Sequence, residues 1–308
     1  MKKLILFLLI TPALSFSQKK VVASADGKCA PDGWKLAFED NFDGDQLDLT
    51  KWNGPEYAHG SFLTEGSEEY YTQDNVKLEN GICKIIPKKE TLLRKCSSWQ
   101  PDSLVLFDKM VNLRTYHYTS ALIETKEKFH YGKYEIRCRI PKGKSLWPAF
   151  WMYGEADHVN NEIDVFEFWN PQNFLGAYSS KKLAAEHHMT VHFNHRMSGK
   201  SYAETDYSTD FHTFTVIWDS TKIEWYVDGN LKRQVTQYNT KRGKNVPCDE
   251  VKAGKTYYLN PIFPVSPMTI IANMALQSGK NSPDEHTFDR PNFEIDYIRY
   301  YKNDGVLK

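Results

Sequence analysis

The 308-residue chain lacks the features that several classes of protein require. Its 39 Lys and Arg residues balance its 39 Asp and Glu residues, so no excess charge favours nucleic acid or an anionic membrane as a partner. Beyond the N-terminal segment, no apolar run is long enough to cross a bilayer. We therefore expect a monomer that has neither nucleic acid nor a membrane as its partner.

Cysteine is also scarce. The five cysteines are odd in number and widely spaced, and they form no CxxC pair and no His-Cys zinc pattern. At least one must therefore stay unpaired within the chain. Cys138 lies in the alternating stretch YEIRCRI, where we expect a buried, apolar thiol.

Helical periodicity is missing after the N-terminal segment, whereas apolar residues recur at every second position. In KYEIRCRI, the apolar residues from Tyr134 to Ile140 alternate with charged ones. KIEWYVDGNLKR predicts a hairpin, because Asp228-Gly229 readily adopts the positive φ angles of a tight turn. The sequence therefore predicts an all-β fold, a sandwich of two antiparallel sheets joined by long loops.

The N-terminal sequence MKKLILFLLITPALSFSQ has a basic start, a short apolar run and small residues after it. This order is typical of a secretory signal, and the apolar run is too short for a membrane span. We expect a signal peptide over residues 1–17 and a polar leader over 18–33. A single domain over 34–308 follows, and we expect the mature protein to be secreted or periplasmic.

The stretch NNEIDVFEFW places three carboxylates, Glu162, Asp164 and Glu167, in a strongly β-prone segment. Side chains alternate along a strand, so Glu162 and Asp164 share a face. Glu167 lies five positions after Glu162 and should face the other side. Burying an unpaired carboxylate there would cost several kcal/mol.

A β-bulge near Val165-Phe166 removes this conflict, because one inserted residue makes five positions count as four. All three acids then share one face, while Ile163 and Phe168 enter the core. Bulges also occur often beside active sites, where they redirect a side chain.

The predicted bulge places the Cα atoms of Glu162 and Glu167 roughly 13 Å apart. Their side chains could lean together until the carboxyls are about 5 to 6 Å apart, as in retaining glycosidases. Asp164 lies between them and should share a proton with Glu162. A calcium-binding acidic strand or a solvated sheet edge is the alternative interpretation of this stretch.

This stretch resembles the bulged signature of glycoside hydrolase family 16, the laminarinase, agarase and carrageenase group. Other segments are similar to the opening strand, the central block, a later strand and the closing strand of that family. In order, they are WKLAFEDNFDGDQLDLTKW (34–52), SALIETKEKFHYGKYEIRCRIPKGKSLWPAFWMYG (120–154), IEWYVDG (223–229) and FEIDYIRYY (293–301). The resemblance implies a jelly-roll sandwich with a substrate groove on its concave sheet, and it covers nearly the whole chain after the leader.

The resemblance also implies roles for the acids: Glu162 as nucleophile, Asp164 as its assisting acid and Glu167 as acid/base. The activity it implies is retaining, endo-acting hydrolysis of a β-linked polysaccharide. We take a β-1,3-glucan as the first expectation for the substrate and a marine galactan (agarose, porphyran or carrageenan) as the alternative. A catalytically silent carbohydrate-binding protein and a transglycosylase remain further alternatives.

Four residues near the acids are predicted to contact the substrate. Trp147 resembles a tryptophan that lines the cleft in the family, and Trp151 follows it at a spacing of four. Trp169 lies two positions after Glu167, and His192 resembles a residue of a cleft-facing strand. Core packing is the alternative for Trp151, a sheet-edge aromatic for Trp169 and a structural histidine for His192.

The resemblance implies no catalytic cofactor, but it does imply a structural calcium on the convex side. The corresponding positions are Glu39, the Gly81 carbonyl and Asp296, which would supply the hard oxygen ligands that calcium prefers. Ordinary exposed carboxylates on the first and last strands are the alternative. Such an ion would stabilise the fold and take no part in catalysis.

Overall fold

The computed structural model describes residues 19–24, 26–27, 33–53, 66–95, 103–106, 109–156, 159–169, 186–193, 196–202 and 206–303. Within these ranges the chain forms 21 β-strands and three 3₁₀ helices, without an α-helix. The predicted all-β fold is therefore confirmed. The described ranges also contain no helix with the length and apolar character that a membrane span needs.

The strands are numbered in chain order. They are β1 (Lys20–Val22), β2 (Lys35–Asp40), β3 (Glu69–Tyr71), β4 (Val76–Glu79), β5 (Ile82–Ile85), β6 (Lys88–Lys95), β7 (Ser103–Leu106), β8 (Lys109–Ser120), β9 (Leu122–Glu124), β10 (Gly132–Arg139), β11 (Leu146–Ala156), β12 (Val159–Trp169), β13 (Glu186–Phe193), β14 (Arg196–Tyr202), β15 (His212–Trp218), β16 (Lys222–Val227), β17 (Asn230–Thr236), β18 (Tyr238–Asn239), β19 (Thr256–Leu259), β20 (Thr269–Leu276) and β21 (Phe293–Lys302). The 3₁₀ helices are Gln73–Asn75, Cys248–Glu250 and Gly279–Asn281.

Two large antiparallel sheets form the body of the protein. The eight-stranded sheet has the order β17-β16-β15-β10-β21-β5-β4, and β2 also pairs with β21. The six-stranded sheet has the order β14-β13-β12-β11-β20-β9. This is the predicted two-sheet sandwich, and β12, which carries the three acids, is an interior strand of the six-stranded sheet.

Two smaller sheets flank this body. One has the order β1-β19-β18, and the other has the order β3-β8-β6, with β7 also pairing with β8. The β3–β8 pair is parallel, which differs from the purely antiparallel expectation. Parallel neighbours need a long crossover, and here β4 to β7 lie between the two strands in the chain. Strand β1 lies within the predicted polar leader, so residues 20–22 are joined to the fold.

The interior between the two large sheets is rich in aromatic rings. The Phe166 ring of β12 lies 4.7 Å from the Phe214 ring of β15 and 6.1 Å from the Phe293 ring of β21, measured between ring centroids. All three side chains are fully buried. Each such burial contributes about 1.5 to 3 kcal/mol to stability, so these contacts hold the acidic strand against the opposite sheet.

The alternating pattern of β10 and the Asp228-Gly229 hairpin are both confirmed. Tyr134 and Cys138 of β10 are fully buried in the interior. Asp228 and Gly229, with φ angles of 48° and 75°, connect β16 to β17. The positive angles match the right-handed twist of the two strands.

The three cysteines in the described part of the chain are free or paired. Cys83 and Cys138 are free and buried, and burial raises the pKa of both thiols. Cys248 is disulfide-bonded. These observations confirm the expectations of an unpaired cysteine and of a buried thiol at Cys138.

Candidate active site

The predicted bulge is present in β12. On one side, Phe150 of β11 lies opposite Phe166, and the next residue, Trp151, lies opposite Asp164. Val165 is therefore the inserted residue. On the other side, three steps along β12 from Asp164 to Glu167 match two steps along β13. Two residues of β12 oppose one of its neighbour there, which is the defining pattern of a bulge.

The bulge sorts the side chains of β12 onto two faces. Ile163, Val165, Phe166 and Phe168 are all at most 1% exposed and belong to the core between the sheets. Glu162 and Glu167 are half-buried on the opposite, open face. Asp164 lies between them on this face and is only 2% exposed. The three acids therefore share one face of the six-stranded sheet.

A tryptophan from the opposite sheet supports the bulge. Trp225 of β16 is fully buried, and its indole Nε1 donates a hydrogen bond of 2.8 Å to the backbone carbonyl oxygen of Asp164. A bulge disturbs the regular ladder of backbone hydrogen bonds, and a buried carbonyl without a donor is costly. The indole supplies that donor across the core.

Cross-strand neighbours on the open face surround each acid. Glu162 lies between Tyr153 of β11 and His192 of β13 in the strand register. Asp164 lies between Trp151 and Thr190 in the next row. The predicted residues Trp151 and His192 thus occupy positions directly beside the acids.

Trp147 contacts the third acid directly. Its Nε1 donates a hydrogen bond of 3.2 Å to Oε1 of Glu167. The indole is partly exposed on the open face, and its contact with substrate remains a prediction. This bond fixes one oxygen of Glu167 and orients the carboxyl.

Trp151 is also partly exposed on the open face. Its ring lies edge-on to Tyr153, with 6.0 Å between ring centroids, and packs against Ile271. Its Nε1 donates a hydrogen bond of 2.8 Å to Oδ1 of Asn273. Trp151 is therefore a half-buried ring of the open face and not part of the core between the two large sheets.

Two further predicted residues can be placed only by their backbone. Trp169 ends β12, where it lies opposite Glu186, and His192 lies opposite Glu162. The side chains of Trp169 and His192 fall outside the described part of the structure. Their roles in substrate binding remain predictions.

The electrostatics of the site centre on Glu162 and Asp164. Burial raises the pKa of Glu162 well above its ordinary value, and the charge of Asp164 and a hydrogen bond between the two carboxyls raise it further. Two close carboxylates in a poorly solvated place cannot both ionise near neutral pH. The pair therefore holds one shared proton.

Thr190 completes the surroundings of this pair. Its hydroxyl donates a hydrogen bond to Oδ2 of Asp164. A threonine hydroxyl can also accept a hydrogen bond, so it suits both the ionised and the protonated form of Asp164. Thr190 was not predicted, although its spacing of two from His192 on one strand would have placed both on the same face.

The predicted calcium ligands already have cationic neighbours. Oε2 of Glu39 lies 3.5 Å from Nε of Arg299, and Nζ of Lys51 donates a hydrogen bond of 2.8 Å to the Glu39 carbonyl. Asp296 is paired with Arg137. Calcium needs about six to eight oxygen ligands, and the described residues contain no cluster of three or more His, Cys, Asp or Glu suited to a metal.

Gly81, the third predicted ligand, lies in the turn between β4 and β5 with a φ of 72°. A carbonyl in such a turn cannot by itself hold a calcium ion. The side chains of Glu39 and Asp296 are thus engaged with arginines, and a calcium ion at these three positions remains a prediction.

A two-sheet β-sandwich with a row of carboxylates and tryptophans on its open face defines a carbohydrate-active protein of the jelly-roll class. Residues 94–299 match the family described as glycosyl hydrolases family 16. The chain belongs to this family.

Named relatives and solved structures agree with the family. The chain is 27% identical over 305 residues to glucan endo-1,3-beta-glucosidase A1 of Niallia circulans, and the match covers 88% of this chain and 38% of that protein. It is 32% identical over 215 residues to glucan endo-1,3-beta-glucosidase of Cryptopygus antarcticus, covering 64% and 68%. The laminarinase catalytic domain of Thermotoga maritima superposes with a TM-score of 0.61 at 29% identity, covering 88% and 99%.

Proposed function

We propose that the protein is a retaining endo-hydrolase of a β-linked polysaccharide, and that this polysaccharide is a β-1,3-glucan. The observation that carries this proposal is the bulge of β12, which brings Glu162, Asp164 and Glu167 onto one open face. Membership of glycosyl hydrolases family 16 supports the reaction class. The two curated relatives whose names specify endo-1,3-beta-glucosidase support the substrate.

The proposed reaction has two steps. In the first, Glu162 attacks the anomeric carbon, while Glu167 gives its proton to the departing glycosidic oxygen. This forms a covalent glycosyl ester on Glu162. In the second step, Glu167 removes a proton from water, and the water attacks the same carbon and releases Glu162. Two inversions give net retention of configuration.

The first step requires an ionised Glu162, although the pair shares one proton. The proton must therefore sit on Asp164 when the attack begins. As negative charge leaves Glu162 during bond formation, the oxygen atoms of Glu162 become less basic, so the proton stays on Asp164 until hydrolysis releases Glu162 as a carboxylate. This assigns Asp164 the role of storing the proton beside the nucleophile.

Trp147 supports the role of Glu167 as acid/base. Its indole hydrogen bond holds Oε1 of Glu167 in place and so orients the carboxyl. General acid catalysis depends on such positioning, because the proton must lie within hydrogen-bond reach of the leaving oxygen.

The test is a panel of polysaccharides assayed for new reducing ends: laminarin, mixed-linkage glucan, agarose, porphyran and carrageenan. Wild-type protein is expected to cleave laminarin, and Glu162→Ala to lose about a thousandfold or more of that activity. Glu285→Ala is the matched control, because Glu285 is highly exposed. Cleavage of a galactan in preference to laminarin would replace the glucan with the alternative substrate.

Two other functions would give different results in the same assay. A catalytically silent binding protein would release no reducing ends from any polysaccharide of the panel, but it would still bind an oligosaccharide. A transglycosylase would lengthen an added acceptor sugar instead of transferring the chain to water. Product sizes measured with and without the acceptor separate these outcomes from hydrolysis.

We also infer that the protein acts as a secreted or periplasmic monomer after removal of residues 1–17, a segment that lies outside the described residues. Insoluble or very large polysaccharides must be cut outside the cytoplasm, which supports this location. N-terminal sequencing of protein recovered from the periplasm or medium, and its mass in solution, test both points. An uncleaved cytoplasmic protein would contradict the first.

A further inference from the structure

A chain of hydrogen bonds crosses the open face from β11, the neighbour of the acidic strand, to the edge of the sheet. Nε1 of Trp151 donates to Oδ1 of Asn273 at 2.8 Å. Nδ2 of Asn273 donates to the hydroxyl oxygen of Tyr71 at 3.0 Å. The hydroxyl of Tyr71 lies near the carboxyl of Glu69, two positions before it on β3, and lowers the pKa of that carboxyl. The chain thus links β12's neighbour β11 to β20 and then to β3.

The direction of this chain is fixed by chemistry. An indole N–H can only donate a hydrogen bond, so the amide oxygen of Asn273 must face Trp151. The amide nitrogen then faces Tyr71, whose hydroxyl oxygen accepts and whose proton remains to be donated. The side chain of Asn273 therefore has one orientation that satisfies both Trp151 and Tyr71.

Glu69 is held firmly at the end of the chain. It is only 1% exposed, and its Oε2 accepts hydrogen bonds from the backbone N–H of Leu276 at 2.7 Å and of Glu68 at 3.2 Å. Strand β9 pairs with β20 only at residues 271–273, and Leu276 lies further along, at the end of β20. The carboxyl of Glu69 therefore accepts from a backbone N–H that β9 does not cover, and it joins β3 to the edge of the sheet.

The other end of the chain lies beside the acids. Trp151 is the register neighbour of Asp164, and Tyr153, edge-on to it, is the neighbour of Glu162. Beneath the indole lies the small apolar cluster of Tyr71, Leu122 and Ile271. The ring is thus fixed through its N–H and supported from below, while part of it stays exposed. Aromatic rings of this kind stack on the apolar faces of sugars and pay little conformational entropy on binding.

We propose that Glu69, Tyr71 and Asn273 are positioning residues that fix Trp151 as a sugar-stacking platform beside the acids. This inference rests on the proposed function and extends it. The three residues need not touch the substrate. They set the plane of the Trp151 ring, and through it the binding of the sugar unit that lies next to the acids.

Tyr71→Phe tests the proposal by removing only the hydroxyl group in the middle of the chain. Because the platform binds the ground state and the transition state alike, KM for laminarin should rise about fivefold while kcat stays within about twofold. Tyr70→Phe is the matched control: it removes a neighbouring hydroxyl on the same strand, from a ring that packs on Tyr116. Its KM should equal that of the wild type.

A double variant shows whether the residues act through one chain. Asn273→Leu should raise KM as much as Tyr71→Phe does, and the two changes together should raise it no further than Asn273→Leu alone. A merely structural role would lower the melting temperature of each variant without this change in KM. Additive increases in KM would contradict a single chain.

The failure of this inference can be told apart from the failure of the proposed function. If wild-type protein cleaves laminarin and Tyr71→Phe has an unchanged KM, only the positioning chain is overturned. Calorimetric binding of a laminarin oligosaccharide to the Glu162→Ala background repeats the comparison without turnover, and Tyr71→Phe should weaken it about fivefold. If the wild type neither cleaves nor binds any member of the panel, the proposed function fails and the platform fails with it.

Discussion

The indole N–H of Trp225 and the carbonyl oxygen of Asp164 form a hydrogen bond of 2.8 Å across the interior of the sandwich. One partner belongs to the eight-stranded sheet and the other to the bulge of the six-stranded sheet. The far sheet thus helps to fix the conformation on which the alignment of the acids depends. Because the bond runs through the core, substitutions at Trp225 should affect an active site that its side chain never enters.

Trp225→Phe should lower both stability and activity. The phenyl ring keeps most of the apolar bulk but leaves the Asp164 carbonyl without its donor, which costs about 1 to 3 kcal/mol. The bulge should then be held less firmly, and kcat for laminarin should fall with it. Urea unfolding gives the change in the free energy of unfolding, and initial rates give kcat.

Trp218→Phe provides the matched control for this substitution. Trp218 is also fully buried, but its Nε1 has no hydrogen-bond partner among the described residues. The same change of shape therefore removes no hydrogen bond. If Trp218→Phe lowers stability and kcat as much as Trp225→Phe does, the effect comes from lost packing and the bulge does not depend on the indole.

Asp164→Asn should move the acid limb of the kcat/KM profile of the enzyme to lower pH. The charge of Asp164 and its hydrogen bond raise the pKa of Glu162, and an amide has no charge and can donate to an ionised Glu162. Glu162 should therefore ionise at lower pH, whatever the change in maximal rate. The profile of kcat/KM against pH measures this directly.

The comparison for this profile is Glu285→Gln, a loss of charge at a highly exposed position. It should leave the acid limb where it is in the wild type. An acid limb that stays fixed or moves to higher pH in Asp164→Asn would mean that the two carboxyls do not share a proton.

The sequence was sufficient to predict the bulge because two local rules conflict in this stretch. Strand alternation would have buried Glu167 next to Val165, and a buried, unpaired carboxylate is too costly. The insertion of one residue is the cheapest solution, and the structure confirms it at Val165. The β10 strand and the Asp228-Gly229 hairpin were predictable for the same reason, since each depends only on neighbouring residues.

The supporting contacts were not predictable in this way, because they join segments that are far apart in the sequence. Trp225 reaches Asp164 from 61 residues away, and Asn273 reaches Tyr71 from 202 residues away. Which strands become neighbours is decided by the packing of whole sheets, and no local pattern encodes it. The cationic neighbours of Glu39 and Asp296 were missed for the same reason.

Removal of calcium should leave the stability of the protein unchanged. The side chains of Glu39 and Asp296 are paired with Arg299 and Arg137, and Lys51 binds the Glu39 carbonyl, so a calcium ion would have to displace all three cations. The melting temperature should be the same after dialysis against EDTA and after addition of calcium chloride, with magnesium chloride as the control for ionic strength. A rise specific to calcium would show that these ion pairs rearrange around the metal, because a ligand that binds only the folded state stabilises it.

Azide should rescue the two glutamate variants with opposite stereochemistry. In Glu162→Ala, azide can occupy the space of the missing carboxylate and attack an activated aryl β-glycoside from that side, which inverts the anomeric configuration. In Glu167→Ala, the glycosyl ester on Glu162 still forms from the activated substrate, and azide then replaces water, which gives net retention. Proton NMR of the glycosyl azide distinguishes the α from the β product.

Glu285→Ala serves as the control for azide rescue, because an intact pair of catalytic acids leaves no vacant space for the anion. It should yield the sugar and no glycosyl azide. Products of the same configuration from Glu162→Ala and Glu167→Ala would contradict the assignment of separate roles to the two residues.

The stability of Glu69→Gln relative to that of the wild type should rise with pH. Burial raises the pKa of Glu69 from 4.5 to about 7, so below pH 4.5 the carboxyl is protonated in both the folded and the unfolded protein. Between these values the unfolded chain releases its proton first, so the folded state loses stability as pH rises and stays at the lower level above pH 7. The pKa difference corresponds to about 3 kcal/mol at most. Glutamine stays neutral, and its amide oxygen can still accept from the backbone N–H of Leu276. The free energy of unfolding of Glu69→Gln relative to wild type should therefore rise by up to that amount between pH 4 and pH 8, as measured by urea unfolding. Glu68→Gln, at the half-buried neighbouring position, should show no such rise. An equal difference from wild type at both pH values would mean that the pKa of Glu69 is the same in the folded and the unfolded protein.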